Sequence, residues 1–367
     1  MSRLSAALIV RDESKFIEGC LDSLVGRADE IILVDTGSCD DTIEKARRFP
    51  VKLFRFPWAG DFSAARNFAL QQASCDWILY IDADERLRLP DPNVLKATLA
   101  TPNTVAWSLR FFPRVDWTAY GELRLFRNDP RIRFQGVIHE RVHEAIELIT
   151  GAERKQTALC TLEIHHLGYE ADQARKNPRN IPLLRRRLEL DPTHLYSWWH
   201  LGQSLSLAGD NDAALAAWNR GLAIARVIPE RERSLSDAQC VLSLIKLQIK
   251  RQTSMGSLLD EAIEFYPEHL ALRWIQAALM LRDGDLDRAK TILEMLSSID
   301  AENFFDPDIS YEKALFRYLA KEALALCVFR MGQYKEAARL YTIAAEKSPD
   351  RLGCETKARL AALKAAA

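Results

Sequence analysis

Trp77-Ile78-Leu79-Tyr80-Ile81-Asp82-Ala83-Asp84-Glu85 is the stretch whose reading decides the fold. Its apolar start has the length and the β-branched and aromatic content of a buried strand, and it ends in three carboxylates within four positions. Such a strand delivers acid groups to the edge of a sheet. Crowded carboxylates repel one another unless water or a cation screens them, and hard oxygen ligands suit Mg²⁺ or Mn²⁺. Taken alone, an Asp-x-Asp reads first as a solvated acidic turn, so the case for chemistry rests on its surroundings.

Upstream, residues 4–10 (Leu-Ser-Ala-Ala-Leu-Ile-Val) read as a first strand. Ser14 is expected to cap a helix whose apolar positions Phe16, Ile17, Leu21, Leu24 and Val25 recur at helical spacing. Glu30 to Val34 reads as a second strand running into Asp35-Thr36-Gly37-Ser38. Strand, helix, strand in so few residues predicts a βαβ unit and a sheet that begins parallel. Asp40, Asp41 and Thr42 are expected to cap a second helix, Val51 to Phe54 to form a third strand, and Asp61 to cap a helix leading through Asp76 into the acidic strand. Parallel strands would then aim Asp12, Asp35 and Asp82 to Asp84 at the carboxyl edge, where open α/β sheets bind ligands.

Four ordered motifs lie in this region: Arg11-Asp12-Glu13, Val34-Asp35-Thr36-Gly37-Ser38-x-Asp40-x-Thr42, Asp61-Phe62-Ser63-x-x-Arg66-Asn67 and Asp76-Trp77-x-x-x-x-Asp82-Ala83-Asp84-Glu85. Their spacing resembles family 2 glycosyltransferases with the GT-A nucleotide-sugar fold. It departs from them at Arg11-Asp12-Glu13, where the family usually has Lys-Asn-Glu. The resemblance implies that Asp35 contacts the nucleobase and Glu13 the ribose of a nucleoside-diphosphate sugar. Arg66, with Asn67 beside it, would meet the nucleotide side, Asp82 ribose or metal, and Asp84 would lead the metal ligands with Glu85 in support. Each role is chemically sensible: an Asp accepting from a base N–H orients it, and a divalent cation neutralises a leaving diphosphate.

Inverting transfer also needs a base for the acceptor's proton. Val105 to Phe112 and Leu123 to Arg127 read as strands, and Val137-Ile138-His139-Glu140-Arg141-Val142-His143-Glu144 concentrates His and Glu. By the resemblance Glu140 is the base, and His166, in the strand Leu162 to Tyr169, completes the metal shell. Strand alternation lets only one of His165 and His166 face the site. His139-Glu140-x-x-His143 also has the zinc-peptidase spacing. That motif needs a helix, and Gly136-Val137-Ile138 before it reads as strand or turn.

After Tyr169 the strands stop. Ala171 to Leu190 is expected to be one long helix closed by Asp191-Pro192. Its Lys176, Arg179 and Asn180 could bring positive charge towards the donor diphosphate. Beyond it Trp198, Leu201, Gly202, Gly209, Ala214 and Trp218 fall on tetratricopeptide spacing, as do Ala325, Gly332, Ala337, Tyr341, Ala344 and Pro349. Ala277, Gly284 and Ala289 make a weaker copy between them. The expected organisation is an α/β GT-A catalytic domain with a Rossmann-like, mainly parallel sheet over 1–170, a connecting helix over 171–192, and an all-α tetratricopeptide-like repeat domain over 193–367.

Composition narrows the class. The chain has 367 residues, 48% of them hydrophobic and 28% charged, with 50 basic against 51 acidic residues. That balance argues against nucleic acid as a partner. Seven scattered cysteines without a C-x-x-C pair fit a reduced, cytoplasmic setting. No run approaches the length of a transmembrane segment, and Leu4 to Val10 reads as a strand rather than a leader. The function expected is an inverting transferase that needs Mg²⁺ or Mn²⁺. It would move a sugar from a nucleoside-diphosphate donor, expected to be a uridine one, to a glycan or to a peptide or protein. The helical repeats would select the acceptor or pair two copies of the chain. The alternative is an inactive transferase-like scaffold that binds a protein partner through its repeats.

Overall fold

The computed structural model describes residues 2–168, 173–253 and 256–367, with the side chains of 173–176 left out. Two compact units are present, residues 1–115 with 120–217, and residues 116–119 with 218–367. The division after Ala217 falls inside the stretch expected to form the repeat domain.

The first unit opens with β1 (Leu4–Val10), α1 (Ile17–Leu24), β2 (Glu30–Asp35), α2 (Thr42–Ala46), β3 (Lys52–Arg55), α3 (Phe62–Gln72) and β4 (Trp77–Tyr80). It continues through β5 (Glu85–Arg88), α4 (Val94–Ala100), β6 (Thr104–Phe112), β7 (Ala119–Arg127), α5 (His143–Glu153) and β8 (Gln156–His166). The strands lie in the order β3-β2-β1-β4-β7-β6-β8-β5. β1, β2, β3 and β4 pair in parallel, as the βαβ reading predicts. β7 then runs antiparallel to both β4 and β6, and β5 antiparallel to β8, so the sheet as a whole is mixed.

The parallel half is apolar on both faces because helices cover both. Leu4, Leu8, Leu33 and Trp77 pack with Ile17 and Leu21 of α1, while Ile32, Val34, Ile78 and Phe126 pack with Ala69 and Leu70 of α3. This is the continuous hydrophobic run of a doubly covered parallel sheet. Asp61 caps α3 as expected, its Oδ1 accepting from the Ala64 amide at 3.1 Å. Ser14 does not cap α1. The Glu13 carbonyl accepts from the Phe16 and Ile17 amides instead, each at 2.9 Å, and the Ser14 amide donates to Asp40 Oδ2 at 3.1 Å. Asp40 takes the capping part at α2, accepting from the Thr42 amide at 2.9 Å.

Two further helices belong to the first unit, α6 (Gln173–Leu190), which holds Pro178 and Pro182 within it, and α7 (Leu195–Leu207). α8 (Asn211–Ala225) follows across the division. The expected strand end at Tyr169 and helix start at Ala171 lie outside the described residues, as does the Lys176 side chain.

The second unit is helical over most of its length: α9 (Gln239–Arg251), α10 (Leu258–Phe265), α11 (Leu270–Asp283), α12 (Leu286–Ser298), α13 (Ala320–Arg330), α14 (Tyr334–Ala345) and α15 (Arg351–Ala366). The three predicted repeat copies fall on α7 with α8, on α11 with α12 and on α13 with α14, the last two packed as helical hairpins. Their glycines Gly209, Gly284 and Gly332 have φ of +87°, +89° and +78°, the left-handed turn that ends the first helix of each pair. Ala214, Ala277, Ala289, Ala325, Ala337 and Ala344 are all fully buried. Small residues at these points let paired helices approach closely.

Candidate active site

Along the carboxyl edge of the parallel strands lies a cleft of about 680 Å³. Its walls include Glu13, Arg66, Asp82, Asp84, Glu85, Glu140 and His166, residues far apart in the chain. They arrive from the end of β1, from α3, from the turn after β4, from the turn before α5 and from the end of β8.

The acidic turn after β4 is held from behind. Glu85 is 2% exposed, and Arg124 of β7 donates to both of its oxygens, at 2.9 and 3.3 Å. The Arg124 guanidinium lies over the rings of Tyr80 and Phe111, 4.5 and 4.9 Å from their centroids. Glu85 Oε2 also accepts the Asp82 amide at 2.9 Å, which folds the turn back on itself. Burial pushes the Glu85 carboxyl up, to about 7, against the pull of Arg124.

Asp84 meets β8. Its Oδ2 lies 3.1 Å from His166 Nε2, while His166 Nδ1 donates to the Pro113 carbonyl at 3.0 Å. The register that pairs Glu85 with His166 makes this contact. Burial alone would lower the His166 pKa, but the Asp84 carboxylate outweighs it and the net shift is upward. A backbone approach closes the same corner. The Leu167 amide donates to the Asp84 carbonyl at 2.8 Å, and a Cβ on Gly168 would sit 2.1 Å from Asp84 Oδ2. Only glycine fits there. His165 faces elsewhere, bonded to Glu163 at 2.9 Å and stacked on Phe112.

Arg66 joins the two sides of the cleft. Its Nη2 donates to Asp82 Oδ1 at 2.9 Å and its Nε to Glu140 Oε1, while the guanidinium packs against Tyr80 and Phe134. Burial would lower the pKa of this arginine, but the two carboxylates raise it, so it stays a cation. Burial likewise would raise the Asp82 carboxyl, and Arg66 pulls it down. The fork is a charge-assisted pair on each arm.

The expected site residues therefore divide. Asp84 and His166 come together, and Asp82 is drawn to Arg66 rather than to them. Among the described residues no three His, Cys, Asp or Glu side chains form a ready metal shell. Asp84 and His166 still fit part of one, because an imidazole whose Nδ1–H is taken by a carbonyl can turn Nε2 to a cation. Glu13 lines the cleft. Asp35 is 6% exposed and spends Oδ1 on the amides of Gly37 and Ser38, at 3.2 and 2.8 Å. Asp12 does similar work, accepting the Cys39 amide at 2.7 Å. Asn67 donates to the Phe134 carbonyl at 2.9 Å and accepts its amide at 2.8 Å, so its side chain pins α3 to the segment before Glu140.

The zinc-peptidase spacing has no helix under it. His139 sits in a turn with φ of +52°, and His143 opens α5. Arg179 and Asn180 of α6 do reach the cleft wall, with Arg179 over the ring of Phe62. Two residues that sequence reasoning left out matter as much. Arg124 was visible only as a charge inside an apolar strand, Leu123-Arg124-Leu125. Tyr196 of α7 lines the cleft although its helix reads as the first repeat.

Residues 5–154 match the family description "Glycosyl transferase family 2". A TPR repeat-containing protein of Synechococcus elongatus is 34% identical over 296 residues, 77% of this chain and 72% of that protein. The SPbeta prophage-derived glycosyltransferase SunS of Bacillus subtilis is 27% identical over 296 residues, 76% of this chain and 67% of that protein. Among solved structures, Staphylococcus aureus TarS 1–349 in complex with UDP-GlcNAc is 14% identical, with a TM-score of 0.40 over 69% of this chain and 93% of that one. With four motifs gathered on one sheet edge, the chain belongs to glycosyltransferase family 2 and is a glycosyltransferase with a mixed α/β domain that carries the family match and a helical C-terminal region.

Proposed function

We propose that this glycosyltransferase takes its sugar from a nucleoside-diphosphate donor, with uridine as the base, and passes it with inversion to a glycan or to a peptide or protein. The observation that carries the reading is the Arg66 fork, which sets Asp82 of the acidic turn and Glu140 on one guanidinium inside the cleft.

The donor's ribose would lie against Glu13 and Asp82, and its base against the turn that Asp35 closes. Mg²⁺ or Mn²⁺ held by Asp84 and His166 would neutralise the diphosphate as it leaves. Arg179, which also lines the cleft, would add positive charge. The acceptor's nucleophilic atom attacks the anomeric carbon as the bond to the diphosphate oxygen breaks, and its proton passes to Glu140. One oxygen of Glu140 is engaged by Arg66, which leaves the other to receive that proton. Acceptor selection and pairing of two copies are roles we assign to the helical region. All seven cysteines are free thiols, in keeping with a reducing, cytoplasmic setting. None of the described helices is long and apolar enough to cross a membrane.

The test is a thermal-shift panel of nucleoside diphosphates and sugar nucleotides with and without Mn²⁺, because a ligand that binds only the native state raises the melting temperature. A uridine nucleotide should stabilise the protein, more so with Mn²⁺, and Asp84→Ala should erase the Mn²⁺ increment together with donor hydrolysis. Stabilisation by no nucleotide would refute the donor assignment. An increment that survives Asp84→Ala would refute the metal ligand.

A further inference from the structure

The turn that carries Glu140 is closed by backbone alone at its base. The Gln135 and Arg141 peptides exchange two hydrogen bonds, at 2.9 and 3.0 Å. Within it His139 holds φ of +52°, a left-handed conformation uncommon for any residue other than glycine, though histidine tolerates it better than most. A non-glycine residue stays there only where its surroundings over-determine it. The surroundings here are rings of α7. His139 lies 4.9 Å from Tyr196, edge to face, and 4.3 Å from His200, while Tyr196 and His200 are themselves 4.4 Å apart. The Arg141 guanidinium sits 5.3 Å over the Tyr196 ring. Burial, reinforced by nearby cationic groups, drives the His139 and His200 pKa values down, His200 to about 3. The imidazoles are therefore neutral at pH 7 and pack against each other, tilted by 34°, without repulsion.

We infer that Tyr196 and His200 of α7 are positioning residues of the transfer reaction: they clamp the His139 ring, fix the left-handed turn, and so aim Glu140 into the cleft. This rests on the reading of Glu140 as the base. It makes α7 a part of the catalytic unit, although its sequence reads as the start of the repeats. The clamp is one of packing. Both faces of the contact lie in the same compact unit, which runs to Ala217. A displacement of about 1 Å at a reacting group can cost on the order of a hundredfold in rate, so loosening the clamp should tell on turnover and not on donor binding.

The experiment uses the full chain. Tyr196→Ala and His200→Ala should each lower kcat by about tenfold or more, leave the Kd for uridine diphosphate within about twofold, and speed amide exchange across residues 135–141. Tyr196→Phe keeps the ring and should keep the protection at 135–141, which separates the clamp from loss of folding. His139→Gly accepts the left-handed turn without the ring, and adding Tyr196→Ala to it should cause no further loss. Unchanged exchange at 135–141 in Tyr196→Ala, or losses that multiply independently in the double variant, would overturn the inference. A wild-type protein that turns over no sugar nucleotide would instead sink the donor reading, while the exchange measurement would still judge the clamp.

Discussion

The turn at 81–85 and the turn at 135–141 both present a carboxylate to the cleft, yet they are held by opposite means. The first is fixed by charge: Arg124 on Glu85, Glu85 on the Asp82 amide, Arg66 on the Asp82 side chain. The second is fixed by shape, through a two-bond backbone closure, left-handed residues at Gly136 and His139, and neutral rings packed at an angle to one another. The difference has a physical basis. A turn that crowds three carboxylates together must keep them from repelling one another, and buried arginines do this at a desolvation cost. A turn that offers a single carboxylate needs only direction. The first should fail when a charge is removed, and the second when a ring or a glycine is changed.

The largest effect should come from the group at which the two turns meet. Glu140→Gln keeps the size and the contact to Arg66 but removes the basic oxygen. Turnover should fall by roughly 10²–10⁴-fold with nucleotide affinity retained, as read by steady-state kinetics beside calorimetry. Loss of both in parallel would make Glu140 a structural partner of Arg66 and erase the contrast in function between the turns.

Next comes the charge-held turn. Arg124→Met takes both donors from the buried Glu85 carboxyl, which burial already pushes up to about 7 and which then takes up a proton, and urea unfolding should register a loss of up to about 3 kcal/mol. Combining it with Glu85→Gln, which still accepts from the Asp82 amide, should recover part of that loss. If the double variant is no more stable than Arg124→Met alone, charge is not what holds the turn.

A carboxylate outside the cleft gauges how far buried acid groups in general behave this way. Glu30 receives hydrogen bonds from Ser5, Lys52 and both the amide and hydroxyl of Ser74. Burial would raise its pKa, but these donors together hold it down at about 2. Its folded value lies below the unfolded one, so its contribution is present above about pH 4.5 and is lost as pH falls towards 2. Glu30→Gln should cost on the order of 2–3 kcal/mol at pH 7 and flatten the acid limb of the stability curve. A variant with the same acid limb as the wild type would contradict the assignment.

The smallest effect tests the shape-held turn. Gly136 has φ of +104°, and a Cβ there would lie 2.9 Å from Arg187 Nη1, the movable end of a side chain. Gly136→Ala should therefore cost only about 1–2 kcal/mol, set by the backbone conformation. A loss as large as that of Arg124→Met would mean the turn is held as rigidly as its charged counterpart.

Most of the acidic cleft edge was legible in sequence because parallel strands bring their carboxyl ends together, and motif spacing along β1, β2 and β4 maps directly onto one edge. His166 and Glu140 were legible only through family resemblance, since nothing local says which strand end they meet. Asn67 and Asp35 fell in the motifs, but the bonds they make are to backbone within the fold, and side-chain type does not reveal whether a partner is peptide or ligand. Arg124 escaped because the acid it neutralises lies on a different strand, and strand alternation alone does not tell a buried arginine from an exposed one. The chain's division escaped for a related reason. Repeat spacing assigned Tyr196 and His200 to the helical region, whereas tertiary contact gives their helix to the catalytic unit. Ser14 was misplaced as a cap because the Glu13 carbonyl, a group every residue type carries, took its role.

Gly168 lies against Asp84 with no room for even a methyl group. The two positions are thereby tied in inheritance as well as in space. A lineage can gain a side chain at 168 only after the Asp84 carboxylate has moved or gone, and a relative that keeps the aspartate must keep the glycine. Substitutions at the two positions should therefore arrive together or not at all, even where the rest of the cleft is unchanged.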